Sequence, residues 1–196
     1  MLKFISTSLY GALILFLFLP FIQVKCNETI LAESSGYQAM TGGKPKFVDS
    51  SMESYLSGQE GMVDNLQKQN KANVILIVFG LMLLAGLIFS ILAKRDVHLG
   101  NTVFSSIAIV CLLVFLAQII YGNHEIKKQS AMMQTGFMKI DLGLKMAYGY
   151  WLSLITNIIL LVLSILWLVQ EKRNKKLMLQ YEHTPEHEAP DETTEV

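Results

Sequence analysis

The chain has 196 residues, 52% of them hydrophobic and only 16% charged, with a formal net charge of zero. A soluble domain carries closer to ~25% charged residues, so most of this apolar mass is expected to face lipid or to pack helix on helix. Balanced charge and the lack of a recognisable binding motif argue against nucleic acid as a partner, and two cysteines as far apart as Cys26 and Cys111 exclude a disulfide framework.

Four long apolar stretches dominate the order of the chain, at about residues 4–24, 74–93, 102–121 and 148–169. Each approaches the ~20 residues a helix needs to cross the hydrocarbon core of a bilayer. The expected fold is therefore an all-α membrane four-helix bundle. The first stretch follows Lys3, as a signal peptide would, but its run from Ile5 to Ile22 exceeds the usual signal core. Gln23-Val24-Lys25-Cys26 is a poor cleavage site and a poor lipoprotein site. A retained helix over residues 1–24, with cleavage as its competitor, is the expectation.

Residues 25–73 form the largest polar segment. Ile22, Val24 and Cys26 alternate with Gln23 and Lys25, Asn27-Glu28 offers a turn, and Thr29 to Glu33 can run back. A period of two predicts half-buried strands. Gly36-Tyr37-Gln38-Ala39-Met40-Thr41-Gly42-Gly43 is too rich in glycine for regular structure and reads as turns. Residues 48–70 have the scattered apolar spacing of a weak amphipathic helix.

The second and third stretches are joined by residues 94–101, a tight turn containing Gly100, so these two helices are expected to be antiparallel neighbours. After the third stretch, residues 122–147 contain a second alternating run, Ile140, Leu142, Leu144 and Met146. This run supplies a further strand, so the two loops together predict a small antiparallel β-sheet outside the membrane. Residues 170–196 form a tail that begins with Lys172-Arg173-Asn174-Lys175-Lys176, turns acidic, and is expected to be disordered beyond about residue 180.

Both arginines lie in the 94–101 link and the start of the tail, which places these two segments and both termini in the cytoplasm by the positive-inside rule. Tyr121, Tyr148, Tyr150 and Trp151 then mark the outer interface and Trp167 the inner one.

The segment Pro20-Phe21-Ile22-Gln23-Val24-Lys25-Cys26-Asn27, with Ser35-Gly36-Tyr37-Gln38 and Thr41-Gly42 after it, resembles one found in uncharacterised bacterial multi-helix inner-membrane proteins. The resemblance covers residues 20–43 and implies a bacterial inner membrane without an assigned activity. The layout of four helices with a small outer sheet is also similar to claudin-type proteins, although their paired cysteines and tryptophan motif are absent, so only the architecture carries over.

Candidate functional positions are few. Gly149, Ser153 and Asn157 recur at every fourth residue of the last helix, and Gly86 and Ser90 do so on the second. Small residues in a stripe let helices approach closely, and Asn157 or Gln118 can hydrogen-bond across the contact. The same stripe would suit a permeation path, but no Asp, Glu, Lys, Arg or His lies in the four stretches, and such groups usually mark ion coupling. Cys26 fits a buried strand position better than a reactive thiol. His183 and His187 are four apart, yet Pro185 breaks the helix that metal ligation would need.

Asn27-Glu28-Thr29 matches a glycosylation pattern by chance at the membrane surface. No phosphate loop, His-Glu-x-x-His or Gly-x-Ser-x-Gly is present. The expectation is a non-catalytic protein without cofactors, a binding or scaffolding subunit whose partners are the bilayer and other membrane subunits or further copies of itself. Its interaction surface is expected at Cys26, Gly36, Tyr37, Gln38, Thr41 and Gly42, and the alternative is a small transporter or channel component. Amino-terminal sequencing of the mature protein should return Met1-Leu2-Lys3; a start near residue 25 would show cleavage of the first stretch.

Overall fold

The computed structural model describes residues 2–26, 29–48, 72–93, 97–132 and 142–182. In chain order these form α1 (Leu2–Phe16), β1 (Pro20–Cys26), β2 (Thr29–Ser35), α2 (Gly36–Thr41), β3 (Lys46–Phe47), α3 (Val74–Leu92), α4 (Val97–Met132), β4 (Leu142–Met146) and α5 (Tyr148–Glu182). Among the described residues three helices are long and apolar enough to cross a membrane, over Val74–Leu92, His98–Glu125 and Tyr148–Met178. A four-stranded antiparallel sheet of order β3-β2-β1-β4 sits at one end of them.

The first apolar stretch does not continue as helix to residue 24. α1 stops at Phe16, and the last residues before Pro20 close tight i,i+3 bonds: Leu17 N–H to Ile14 O, Phe18 N–H to Leu15 O and Leu19 N–H to Phe16 O. Pro20 explains the break, because proline carries no N–H and pushes the residue before it out of the α region. Beyond Pro20 the backbone finds strand partners instead. β1 pairs with β2 on one side and with β4 on the other, Val24 lying opposite both Ala32 and Leu144. The 15 residues of α1 rise only about 22 Å, short of the roughly 30 Å of a hydrocarbon core.

The alternation expected around residues 22–33 and 142–146 forms strands. Ile140, the amphipathic helix expected at residues 48–70 and the histidines of the tail lie outside the described residues, apart from Val48. Three boundaries differ from the sequence reading. Gly36 to Thr41 is a helix, made possible by a capping box in which Ser35 Oγ accepts from Gln38 N–H while Gln38 Oε1 accepts from Ser35 N–H. Gly42, with φ of 74°, ends that helix in the left-handed conformation. Gly100 belongs to the first turns of α4 and not to a link; a Cβ there would overlap the Phe89 ring of α3. Finally, α4 continues to Met132 and α5 to Glu182, beyond the apolar stretches that nucleate them.

Each long helix buries one narrow stripe. On α1 it is Ser6, Tyr10, Leu13 and Leu17, the last just past the helix end; on α3 Leu76, Phe79, Leu83, Gly86 and Ser90. On α4 it is Asn101, Ser105, Ala108, Leu112 and Phe115, and on α5 Tyr150, Ser153, Asn157, Leu160 and Ser164. Steps of three and four describe the seam of a left-handed helix packing. The apolar members, with Phe21 of β1, join in one core, while the opposite faces expose large residues such as Leu81, Val110, Ile155 and Leu166.

The sheet is fastened to this core. Tyr150 stands edge-on to Phe21 at 6.1 Å and donates its hydroxyl proton to Leu112 O at 3.1 Å. It is fully buried, so it is a joint between sheet and helices rather than an interfacial aromatic. Asn123, on the extension of α4, accepts from Leu144 N–H at 3.0 Å and so covers the outer edge of β4. Asn73 caps α3 by accepting from Ile75 and Leu76 N–H, and its Nδ2 donates to Gln118 Oε1 at 3.0 Å. Replacing Asn73 by Ala should lower stability by ~1 kcal/mol through loss of the cap. Gln118→Leu, which keeps the cap and removes the contact with Asn73, should lose less; unfolding midpoints in detergent make the comparison.

Candidate functional site

The small residues singled out from the sequence lie at helix contacts. Gly86 faces the Tyr10 ring: a Cβ there would stand 2.6 Å from the ring carbons. One turn away, Ser90 is fully buried and its hydroxyl meets Ser6 Oγ at 2.9 Å and Thr7 Oγ1 at 3.1 Å. These three hydroxyls form a polar knot between α1 and α3, each able to give and accept a proton.

Gly149 faces the turn after α1. A Cβ there would lie 2.6 Å from Pro20 O and 2.9 Å from Leu19 Cβ. Ser153, one turn on, is buried and returns its hydroxyl proton to Gly149 O at 2.9 Å. Asn157 is buried with neither its amide nitrogen nor its oxygen hydrogen-bonded. Gln118 is exposed and engages Asn73.

The positions expected to form an interaction surface divide by role. Gly36 is buried, with Leu17 O and the Phe21 ring only 3.1 Å from where its Cβ would be. Gln38 completes the capping box, Thr41 donates to Tyr37 O at 2.9 Å, and the Gly42 N–H closes the helix end on Gln38 O. All four act within the fold. Tyr37 alone presents a large exposed side chain; its ring stacks on the exposed ring of Phe18 at 5.6 Å and 24°. Cys26 is held in β1 opposite Thr29 and Leu142 through its backbone, and its side chain lies outside what the structure describes.

Polar positions that sequence reasoning passed over complete the picture. Ser6 and Thr7 on α1 and Asn101 on α4 all turn toward neighbouring helices. Their signal was available in part: Ser6 and Tyr10, like Asn101 and Ser105, stand four residues apart, the spacing of one helix face. Near Asn101, His98 stacks on Trp167 of α5 at 5.7 Å and 20°. Asn101 Oδ1 is buried and has no hydrogen-bond partner, and the buried Tyr10 hydroxyl interacts with the Ser105 side chain. Among the described residues no three His, Cys, Asp or Glu side chains come together. Comparisons with known protein families, with curated proteins and with solved structures find no match for this chain.

The Gly86 contact generates a coupling. Gly86→Ala must displace the Tyr10 ring and should destabilise by ~1–3 kcal/mol, the usual cost of overpacking. In a Tyr10→Ala background the added methyl has room, so the two changes should depart from additivity by more than ~0.5 kcal/mol. A thermal-unfolding double-mutant cycle in detergent reads this directly.

Proposed function

We propose that this chain is a non-catalytic integral membrane protein that serves as a binding or scaffolding subunit of a membrane complex. In this reading α1 with the turn after it, α3, α4 and α5 form a four-helix bundle in a bacterial inner membrane. The bacterial setting rests on the resemblance over residues 20–43. The single observation that carries the role is how the small-residue stripe on α5 is occupied. Gly149 is covered by the backbone of Leu19 and Pro20, and Ser153 spends its proton within its own helix. The chain itself fills the face that a transporter would leave open.

Two contacts support placing both termini on one side. Ser6, near the start of α1, meets Ser90 at the end of α3, and His98, at the start of α4, meets Trp167 late in α5. That end of α5 leads into the Lys172–Lys176 cluster, and in the sequence Lys94-Arg95 follows α3, basic runs that the positive-inside rule assigns to the cytoplasm. The sheet and α2 then stand outside as a platform. Ala147 N–H bonds Phe21 O at 2.9 Å, Tyr37 N–H bonds Leu17 O at 2.8 Å, and Asn73 N–H bonds Ala39 O at 3.1 Å, so the platform moves with the helices. Its exposed Phe18–Tyr37 pair is the side-chain feature offered to a partner or to the lipid headgroup region.

The competing reading, a small transporter or channel component, draws on Asn157, whose buried amide has no partner. Native gels and mild-detergent pull-downs separate the two, since under the scaffolding reading the unaltered chain runs with its partners. Phe18→Ser with Tyr37→Ser should weaken capture of partners by at least several-fold while leaving the unfolding midpoint nearly unchanged. A chain that runs alone in mild detergent, yet conducts solute in liposomes in a manner lost on Asn157→Leu, would establish the transporter instead.

A further inference from the structure

Between α1, α4 and α5, at the end of the helices where α1 begins, lies a small cavity lined by Ser6, His98, Asn101, Leu160, Leu163 and Ser164, among others. Three of the polar members are at least nine-tenths buried: Asn101 is 1% exposed, Ser164 4% and Ser6 7%. Asn101 Oδ1 has no hydrogen-bond partner. The Ser164 hydroxyl gives its proton to Leu160 O at 2.8 Å, which leaves its oxygen as an acceptor. One unpartnered acceptor, Asn101 Oδ1, and one hydroxyl oxygen that can still accept, Ser164 Oγ, thus belong to residues lining one space, and a buried acceptor left without a donor carries the full cost of its lost hydration.

We propose that this cavity is a binding site for one ordered water molecule, which donates to Asn101 Oδ1 and to Ser164 Oγ. The space between these side chains is large enough for one water. Most of the lining is apolar, so the polar residues Ser6, His98, Asn101 and Ser164 supply the two to four partners that a buried water needs. The site is blind. Further along the same helices the core is closed by Leu13, Leu83, Leu112 and Phe115, all buried, with Leu13 standing about 10 Å beyond Ser6 on the rise of α1. The water satisfies the seam and does not lead across it.

X-ray hydroxyl-radical footprinting of the full chain in detergent micelles tests the site, because radicals formed from a bound water mark the side chains beside it. Leu160, 1% exposed, should be modified several-fold more than Leu13, Leu83 and Leu112, which are equally buried. Ser164→Val, which fills the space and removes an acceptor, should bring Leu160 down to their level. Equal modification of all four leucines in the unaltered protein would overturn the proposal, and so would undiminished labelling of Leu160 in a folded Ser164→Val variant. If that variant does not fold, the comparison within the unaltered protein still decides.

Discussion

Gly86 on α3 and Gly149 on α5 leave room for the same segment of chain, and the rest of the structure depends on that fit. Gly86 admits the Tyr10 ring from α1, and Gly149 admits the Leu19–Pro20 backbone just after it. Lipid tails are as apolar as leucine, so helices in that medium gain little from hydrophobic burial against each other and rely on close contact and interhelical hydrogen bonds. Both occur here at once: ring against glycine, and one turn away the Ser6–Thr7–Ser90 hydroxyls. A methyl group at either glycine would push α1 away and with it the strand that α1 delivers.

Pro20 makes that delivery possible. An uninterrupted helix through residue 24 would leave β2 and β4 with no strand between them, since β1 is the centre of the sheet and pairs with both. Short hairpins are marginal in water. This one is stabilised because Phe21 enters the helix core against Tyr150, whose hydroxyl reaches Leu112 O. Its β4 edge is closed by Asn123 from an α4 that continues past its apolar stretch. Sheet, α2 and helices are thus coupled through a small number of buried side chains, which gives the exposed Phe18–Tyr37 pair a rigid base.

Much of this frame was legible in the chain. The long helices announce themselves by composition, and the strands at residues 22–33 and 142–146 by alternation, because a period of two has no other reading in a polar setting. Gly86 and Ser90, or Gly149 and Ser153, show their shared face through spacing alone. The same logic failed at Gly36 to Thr41, where glycine content outweighed the Ser35–Gln38 capping pair. It also failed at residues 17–21, where the apolar run from Leu17 to Phe21 hid the change from helix to strand, and the signal that marked it was Pro20, which lacks an N–H and restricts the residue before it.

The sequence by itself determined which segments are apolar helices, which positions are small enough for close contact, and where charge marks one end of the molecule, since these follow from local composition and period. Only the tertiary structure decided what each of those positions meets. Tyr150 reads as an interfacial aromatic until Phe21 and Leu112 are seen to enclose it. Asn101 reads as a link residue until α1 and α5 close a cavity around it. Partners so far apart in sequence are set by how helices dock, and docking is governed by the fit of whole surfaces, which no local pattern records.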